Sequence, residues 1–195
     1  MSDPEAPGAP RAEPMLRGDR VWLGATDKEH VVADGGWLSD AEIGHFLGVK
    51  SPISRDGATR FAEEFLAQAG KAVFPFNISL LADDRRIGGC VLRDVDRENG
   101  SAEVAIFIGD RRYLGQGLGT DALNCLVDFG FGELRLERIY LHVFDYNERA
   151  RRSYEKAGFQ TDATLRHARF HRGVHHDVHV MSILRADWLA RERRR

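Results

Sequence analysis

The sequence predicts an α+β fold, in which one mixed, mostly antiparallel sheet of six to seven strands is flanked by about four helices. Three observations predict it. Segments with strand-like alternation lie on both sides of segments with helical periodicity. Turn signals at residues 83–84 and 98–100 join three consecutive strands as antiparallel hairpins. A strand–helix–strand segment over residues 102–143 then favours a right-handed parallel crossover within the same sheet.

Length and charge limit the domain organisation and the class of protein. The chain has 195 residues, 28 of them basic and 30 acidic, with a net charge of −2. This length suits one domain, predicted over residues 16–190, after a disordered tail at 1–15 and before an Arg-rich end at 191–195. The near-balanced charge argues against a dedicated nucleic-acid binder.

Cysteine usage and hydropathy favour a cytoplasmic location. Cys90 and Cys125 are too few for a disulfide framework and match no zinc-binding spacing, so we expect two reduced thiols. No apolar run approaches the roughly 18 to 20 residues that span a bilayer, and residues 1–15 lack the features of a secretory signal. The sequence therefore predicts no membrane association.

The first half of the chain is predicted to contain short helices and four strands. Alternation over residues 20–24 predicts a first strand, and scattered apolar positions over 28–48 predict one or two short helices. A further helix has Phe61, Phe65 and Leu66 on its apolar face. Three strands follow, at residues 76–81, 86–92 and 102–108.

The second half is predicted to alternate between helices and strands. A 3.6-residue apolar period begins at Thr120 and predicts a helix, and residues 139–143 form a nearly continuous apolar strand. Asn147 precedes a helix over 148–156, which Gly158 closes in the left-handed conformation. Two final strands, joined by an Arg-Gly turn, are expected at 164–171 and 174–184.

A glycine-rich loop separates the strand that ends at Ile108 from the helix at Thr120. Gly115, Gly117 and Gly119 allow a ligand to approach the backbone, and the helix N-terminus supplies unpaired N–H groups and partial positive charge. This combination predicts an anion site, most often for phosphate. The loop lacks the Lys of a P-loop, and its G-x-G-x-G spacing departs from the dinucleotide fingerprint. A turn that only starts a helix is the alternative.

Two motifs, in this order, resemble those of the GNAT acetyltransferase superfamily. Residues 114–119, Leu-Gly-Gln-Gly-Leu-Gly, are similar to its pyrophosphate loop, Q/R-x-x-G-x-G/A. Residues 139–159 resemble its second signature, a strand, then Asn147, then a helix ending in Tyr-Glu-Lys-Ala-Gly-Phe. The closing stretch, residues 165–184, resembles the RimJ/RimL-type branch. The resemblance is specific over residues 86–188 and implies a three-layer fold, acetyl-CoA as co-substrate and, for this branch, a homodimer.

The resemblance also implies which residues bind acetyl-CoA. Backbone groups at the end of the strand would pair with the pantetheine arm, and the loop would cradle the pyrophosphate. The cofactor-binding residues so implied are Phe107, Ile108, Leu114, Gly115, Gln116, Gly117, Leu118, Gly119, Thr120 and Asn147. Leu114 departs from the family's Gln or Arg and removes one side-chain contact, for which Arg111 or Arg112 is expected to compensate.

The implied chemistry is transfer of an acetyl group from a thioester to a primary amine. The amine must lose a proton to attack, the oxyanion needs N–H donors, and the leaving thiolate benefits from an acid. Tyr154 matches the family's general acid, and the alternative is a tyrosine that only packs beneath the sheet. Glu103 is the candidate base, acting through water, and the alternative is a solvent-facing carboxylate.

The histidines and one acidic group leave alternatives open. A histidine cluster in the last two strands is interpreted as solvated or substrate-contacting, because the pattern there favours a hairpin over a metal-binding helix. Its members are His167, His171, His175, His176 and His179. His142 is predicted to be a core histidine, with a proton relay as the alternative. Asp94, Asp96 and Glu98 either line a cleft for a polycation or belong to a solvated hairpin.

The resemblance therefore implies an acetyl-CoA-dependent N-acetyltransferase that acts, by direct attack in a ternary complex, on a protein N-terminus or a small-molecule amine. The alternatives are a polyamine or aminoglycoside acetyltransferase and a catalytically silent acyl-CoA-binding module. No metal is expected.

Overall fold

One eight-stranded sheet organises the protein. A computed structural model describes residues 15–50 and 52–193. The strands are β1 (Leu16–Arg17), β2 (Val21–Ala25), β3 (Phe74–Leu80), β4 (Arg86–Asp96), β5 (Ser101–Ile108), β6 (Arg138–Phe144), β7 (Gln160–His171) and β8 (Val174–Leu184). Their order is β1-β2-β3-β4-β5-β6-β8-β7. Strands β5 and β6 are parallel, and the other described neighbours are antiparallel. The predicted fold class is confirmed, and the additional strand is the two-residue β1, which is too short to leave a sequence pattern.

Six helices lie within the described residues, two more than the approximately four expected. They are α1 (Lys28–Leu38), α2 (Ala41–Leu47), α3 (Arg55–Leu66), α4 (Leu118–Gly132), α5 (Glu148–Lys156) and α6 (Arg185–Glu192), with a 3₁₀ turn at Arg111–Tyr113. Helix α6 includes residues that the sequence placed in a solvated end. It is docked by Trp188, whose Nε1 donates to the Asp128 carboxylate at 2.6 Å, and by Arg191, which donates to the Ala157 carbonyl.

Side-chain caps fix where several helices begin. Asp27, Asp40, Ser54 and Asn147 each accept a hydrogen bond from a first-turn backbone N–H. At the other end of α5, Gly158 has a φ of +97°, as predicted for a left-handed C-terminal residue. The boundaries of α5 therefore follow the sequence signals.

The sheet lies between two layers of helices. Neighbouring side chains of a strand point to opposite faces, and the end of β5 contacts a different layer on each. Ile108 lies against Gly119 of α4, whereas the Phe107 ring lies 6.2 Å from that of Trp37 in α1. This arrangement confirms the three-layer expectation. Within the described part of the chain, no helix is long and apolar enough to span a membrane.

Helix α3 does not bury the face that the sequence predicted. Its buried residues are Ala58 and Ala62, whereas Phe61 is 55% exposed. The rings of Phe61 and Phe65 stack at 5.3 Å between centroids, and both line the large cleft described below. The periodicity marked an apolar face correctly, but this face borders a cavity rather than the core.

The feature that positions the functional site is a local separation of two strands. Strands β5 and β6 pair at three positions, which end at Glu103 opposite Tyr140. Beyond that point β5 stays paired with β4 as far as Ile108, whereas β6 stays paired with β8 as far as Phe144. The β6-facing backbone edge of residues 104–108 is therefore left open.

Candidate active site

A cleft of about 1150 Å³ occupies the separation between β5 and β6. The end of β5, the glycine-rich loop and α5 line one part of it, and helices α1–α3 line the other. The structure brings all of the sequence-predicted catalytic and cofactor-binding residues to this cleft. They are Glu103, Phe107, Ile108, Leu114, Gly115, Gln116, Gly117, Leu118, Gly119, Thr120, Asn147 and Tyr154.

The glycine-rich loop exposes the N-terminus of α4 to the cleft. Gly115 and Gly117 have φ values of +73° and +81°, which residues with a Cβ rarely adopt. Among the described residues other than the two chain neighbours, none has an atom within 4 Å of an ideal Cβ at either position. The first bond of the helix runs from the Asp121 N–H to the Gly117 carbonyl at 3.0 Å. The N–H groups of Leu118 to Thr120 are thus the unpaired first-turn donors, as an anion site requires.

Positive charge near this loop comes from residues that the sequence analysis missed. Arg20 lines the cleft and donates to the Gln116 carbonyl at 2.7 Å. On α5, Arg149, Arg152 and Lys156 also line the cleft. Their spacing of i, i+3 and i+7 places them on one helical face, which is the signal that could have found them.

Arg111 and Arg112, expected to compensate for Leu114, are engaged elsewhere. Arg111 pairs with Asp40 and with Glu42, the latter at 2.8 Å. Arg112 pairs with Asp110 at 2.6 Å. These ion pairs fix the 3₁₀ turn and its contact with α2, so the expectation of a pyrophosphate contact from either arginine is wrong for this conformation.

Tyr154 faces the cleft with an unused hydroxyl group. Its ring packs 6.1 Å from that of Phe159, and among the described residues none is within hydrogen-bonding distance of its hydroxyl. Burial in apolar surroundings raises the pKa of Tyr154 to about 12. The hydroxyl is therefore a protonated donor with no structural acceptor, unlike a tyrosine that serves only packing.

Asn147 caps the start of α5 and contacts α2. Its side-chain oxygen accepts from the Ala150 N–H at 3.2 Å, and its Nδ2 donates to the Phe46 carbonyl of α2 at 3.4 Å. Asn147 is 8% exposed and lies on the cleft wall. It thus joins the start of α5 to α2, beside the site where the two halves of the cleft meet.

Glu103 and His142 form a hydrogen-bonded pair where β5 and β6 separate. Glu103 is 9% exposed and accepts from Arg93 Nε at 3.0 Å and from His142 Nδ1 at 2.9 Å. Burial acts to raise the pKa of Glu103, but hydrogen bonds from Arg93 and His142 outweigh it, and the pKa is lowered. An ionised carboxylate with both partners in place is a weak base.

His142 was expected in the core, and that prediction is wrong. Its side chain is 42% exposed and lines the cleft. Because a carboxylate only accepts hydrogen bonds, the Glu103 contact assigns the proton to Nδ1 and leaves Nε2 as an acceptor. The alternation in β6, where Ile139, Leu141 and Val143 are buried, was the signal that His142 lies on the opposite face.

The acidic hairpin and the histidine cluster lie away from the cleft. Asp96 accepts from the backbone N–H groups of Glu98 and Asn99, both at 2.9 Å, so it orders the hairpin turn. In the β7–β8 hairpin, His171 Nε2 lies 2.7 Å from His45 Nδ1. Within the described residues, no group of three potential ligands is arranged to hold a metal ion.

Comparisons with known proteins agree with this geometry. Residues 20–160 match the family model described as "Acetyltransferase (GNAT) domain". Over 113 residues the chain is 32% identical to an uncharacterised N-acetyltransferase of Bacillus licheniformis, a match covering 58% of this chain and 63% of that protein. Over 108 residues it is 33% identical to the spermidine N(1)-acetyltransferase of Escherichia coli (strain K12), covering 55% of this chain and 58% of that protein. The chain thus spans about six tenths of the length of these curated relatives.

A solved structure covers more of the fold. The crystal structure of spermidine N-acetyltransferase from Vibrio cholerae in complex with CoA and spermine aligns with a TM-score of 0.79 at 25% sequence identity. The alignment covers 87% of this chain and 98% of that chain.

Proposed function

Because this chain belongs to the GNAT acetyltransferase family, we propose that it transfers the acetyl group of acetyl-CoA to a primary amine in a ternary complex. The observation that carries the proposal is the separation of β5 from β6, with the glycine-rich loop and the free Tyr154 hydroxyl on the same cleft. The open strand edge and the anion site suit binding of the coenzyme, and the hydroxyl is a proton donor for the leaving thiolate.

The coenzyme half of the cleft fits acetyl-CoA by its charge and hydrogen-bonding groups. The N–H groups at the start of α4 and the Arg20 side chain suit the pyrophosphate. Arg149, Arg152 and Lys156 provide further cations for the phosphates. The open backbone edge of residues 104–108 suits the amides of the pantetheine arm, which can pair with it as an added strand. When bound, acetyl-CoA supplies the activated acyl group.

We propose that His142 is the base and that Glu103 positions it. His142 Nε2 accepts a proton from the incoming amine, and Glu103 stabilises the resulting imidazolium through its hydrogen bond to Nδ1. This assignment differs from the sequence interpretation, in which Glu103 itself was the base. Glu103 keeps its role in deprotonation, but acts through His142, while Arg93 holds its second oxygen.

Tyr154 is proposed as the group that stabilises the leaving thiolate. A pKa of about 12 lies above the roughly 8.5 of an ordinary thiol. Complete proton transfer to sulfur is therefore uphill, and the hydroxyl acts chiefly by donating a hydrogen bond as negative charge develops. The backbone N–H groups of the open β5 edge are the candidate donors for the oxyanion.

Calorimetry followed by thiol detection tests this proposal. Acetyl-CoA should bind saturably, and a panel of primary amines should include some that cause release of free CoA. Both cysteines of the chain are buried, so a thiol reagent has little background from the native protein. Binding without CoA release for any amine would instead support the silent acyl-CoA-binding module.

We further propose that the protein belongs to the RimJ/RimL-type branch and acts in the cytoplasm as a homodimer. Residues 165–184 support the branch, and the two buried, unbridged cysteines suit a reducing compartment. The terminal strand β7 offers a backbone edge for pairing with a second copy. Light scattering tests the homodimer, and a monomeric mass at micromolar concentration would contradict it.

A further inference from the structure

We propose that the acceptor is a singly charged primary amine attached to an aromatic or branched apolar group, and not a polyamine. This inference rests on the proposed acetyltransferase function and narrows its substrate class. It follows from two features of the half of the cleft lined by α1–α3. Its carboxylates are already neutralised by arginines, and its wall is aromatic and aliphatic.

The acidic side chains in this half of the cleft are Asp34 and Glu103. Arg86 pairs with Asp34, and their side chains are only 18% and 14% exposed. Arg93 and His142 both donate to Glu103. The other two acidic side chains on the cleft, Asp19 and Asp121, lie at its coenzyme end. There the Asp121 carboxylate accepts hydrogen bonds from the backbone N–H groups of residues 19–21. Each carboxylate of the acceptor half therefore has a cationic partner of its own.

The acidic hairpin does not supply the missing negative charge. Asp96 is engaged by its own turn, and Asp94, Asp96 and Glu98 are not among the residues that line the cleft. A polyamine carries several ammonium groups, and each must lose hydration to enter an apolar cleft. No unpaired carboxylate among the lining residues offsets this loss of hydration. Only the reacting amine avoids it, because this amine gives up its proton to His142.

The apolar wall explains the exposed aromatic side chains of α3. Phe61 is 55% exposed, although the same helix buries only small alanines. Its ring stacks on that of Phe65 with an interplanar angle of 18°, so the two rings form one continuous apolar patch. Further apolar side chains of this wall include Val31, Leu38, Ile43, Leu47, Val49 and Ile53. An apolar substituent on the acceptor would cover this surface and remove it from water.

Two kinds of acceptor have this chemistry: a free arylalkylamine, and the N-terminus of a peptide whose first residue is apolar. Both present one ammonium group beside an apolar body. The test therefore compares 2-phenylethylamine, a short peptide with N-terminal Phe, and spermidine as acceptors. Acetyl-CoA is held saturating, and CoA release is measured for each acceptor.

We expect kcat/KM for one or both apolar acceptors to exceed that for spermidine by at least about tenfold. The F61A variant should raise KM for the apolar acceptor about tenfold with little change in kcat. The matched control is F170A, because Phe170 is 56% exposed and lies outside the cleft; its kinetics should equal those of the parent. A Phe61→Glu change adds an unpaired carboxylate and should raise kcat/KM for spermidine relative to kcat/KM for the apolar acceptor.

The outcomes separate the two levels of the proposal. Spermidine acetylated as efficiently as the apolar acceptors would overturn this inference and leave the acetyltransferase function standing. An F61A variant with unchanged KM would also overturn it. CoA binding without acetylation of any of the three acceptors would overturn this inference alone, whereas CoA binding without acetylation of any amine in the wider panel would overturn the proposed function as well. Preference for the peptide over 2-phenylethylamine would identify polypeptide N-termini as the source.

Discussion

The Tyr154→Phe change removes one hydroxyl group and tests the proposed stabilisation of the leaving thiolate. Among the described residues this hydroxyl has no hydrogen-bond partner, and the ring contact with Phe159 is kept by phenylalanine. The free energy of unfolding should therefore change by less than about 0.5 kcal/mol. Any loss of activity can then be attributed to the reaction rather than to the fold.

The expected size of the effect follows from the pKa of the hydroxyl. Burial raises the pKa of Tyr154 to about 12, roughly 3.5 units above an ordinary thiol, so full proton transfer costs about 5 kcal/mol. Tyr154 should therefore contribute a hydrogen bond to a developing charge, which is worth about 1.5–3 kcal/mol. This range corresponds to a decrease in kcat of about 10- to 150-fold.

Steady-state CoA release at saturating acetyl-CoA measures this decrease directly. The dissociation constant for acetyl-CoA, measured by calorimetry, should stay within about twofold, because the proposed hydrogen bond forms only as the thiolate leaves. An unchanged kcat would refute the role of Tyr154 in the chemical step. A weakened acetyl-CoA affinity with normal kcat would show that Tyr154 binds the coenzyme instead.

Three further predictions concern the base, the loop and the histidine pair between α2 and β7. His142→Gln should lower kcat/KM at least about 100-fold, whereas His175→Gln on the exposed hairpin should leave kcat/KM unchanged. Gly117→Val should weaken acetyl-CoA binding at least about tenfold in calorimetry, because Gly117 has a φ of +81° at the anion site. The pKa values of His45 and His171 are lowered from 6.5, mainly by burial and secondly by the positive charge of Arg172. The unfolded chain therefore takes up protons first, and the unfolding temperature should fall as pH decreases from 6.5 to 5.

Each of these predictions has a result that contradicts it. Parental kinetics in the His142→Gln variant would return the role of base to Glu103 acting through water. Unaltered acetyl-CoA affinity after Gly117→Val would mean that the loop does not bind the pyrophosphate. A His171→Gln variant should lose part of the acid sensitivity, and an identical pH dependence would show that the pair with His45 does not cause it.

The fold was largely predictable because its signals are local. Glycines and caps mark the ends of α5, an Asn-Gly turn marks the β4–β5 hairpin, and the apolar period marks α4. The loop and α5 also carry their motifs within short segments, so their residues could be placed at one site without tertiary information. The additional helix α6 was missed because its anchoring contacts, Trp188 to Asp128 and Arg191 to Ala157, join distant segments.

The side-chain partners of the site were not predictable in the same way. The expected role of Arg111 depended on its being free, and its pairing with Asp40 and Glu42 crosses about 70 residues of sequence. The direction of Phe61 depends on whether α3 faces a core or a cavity, which periodicity alone does not distinguish. His142 is the exception, because the alternation of β6 contained the information about its face.

Mass spectrometry of the reaction products tests the central claim most directly. The protein, acetyl-CoA and 2-phenylethylamine or a peptide with N-terminal Phe would be incubated at neutral pH. The account predicts an acetylated amine that forms in proportion to enzyme concentration, in equal amount to free CoA, and at least about tenfold more slowly with Tyr154→Phe. Contradiction would come from CoA-bound protein that forms no acetylated product with these or any other primary amine.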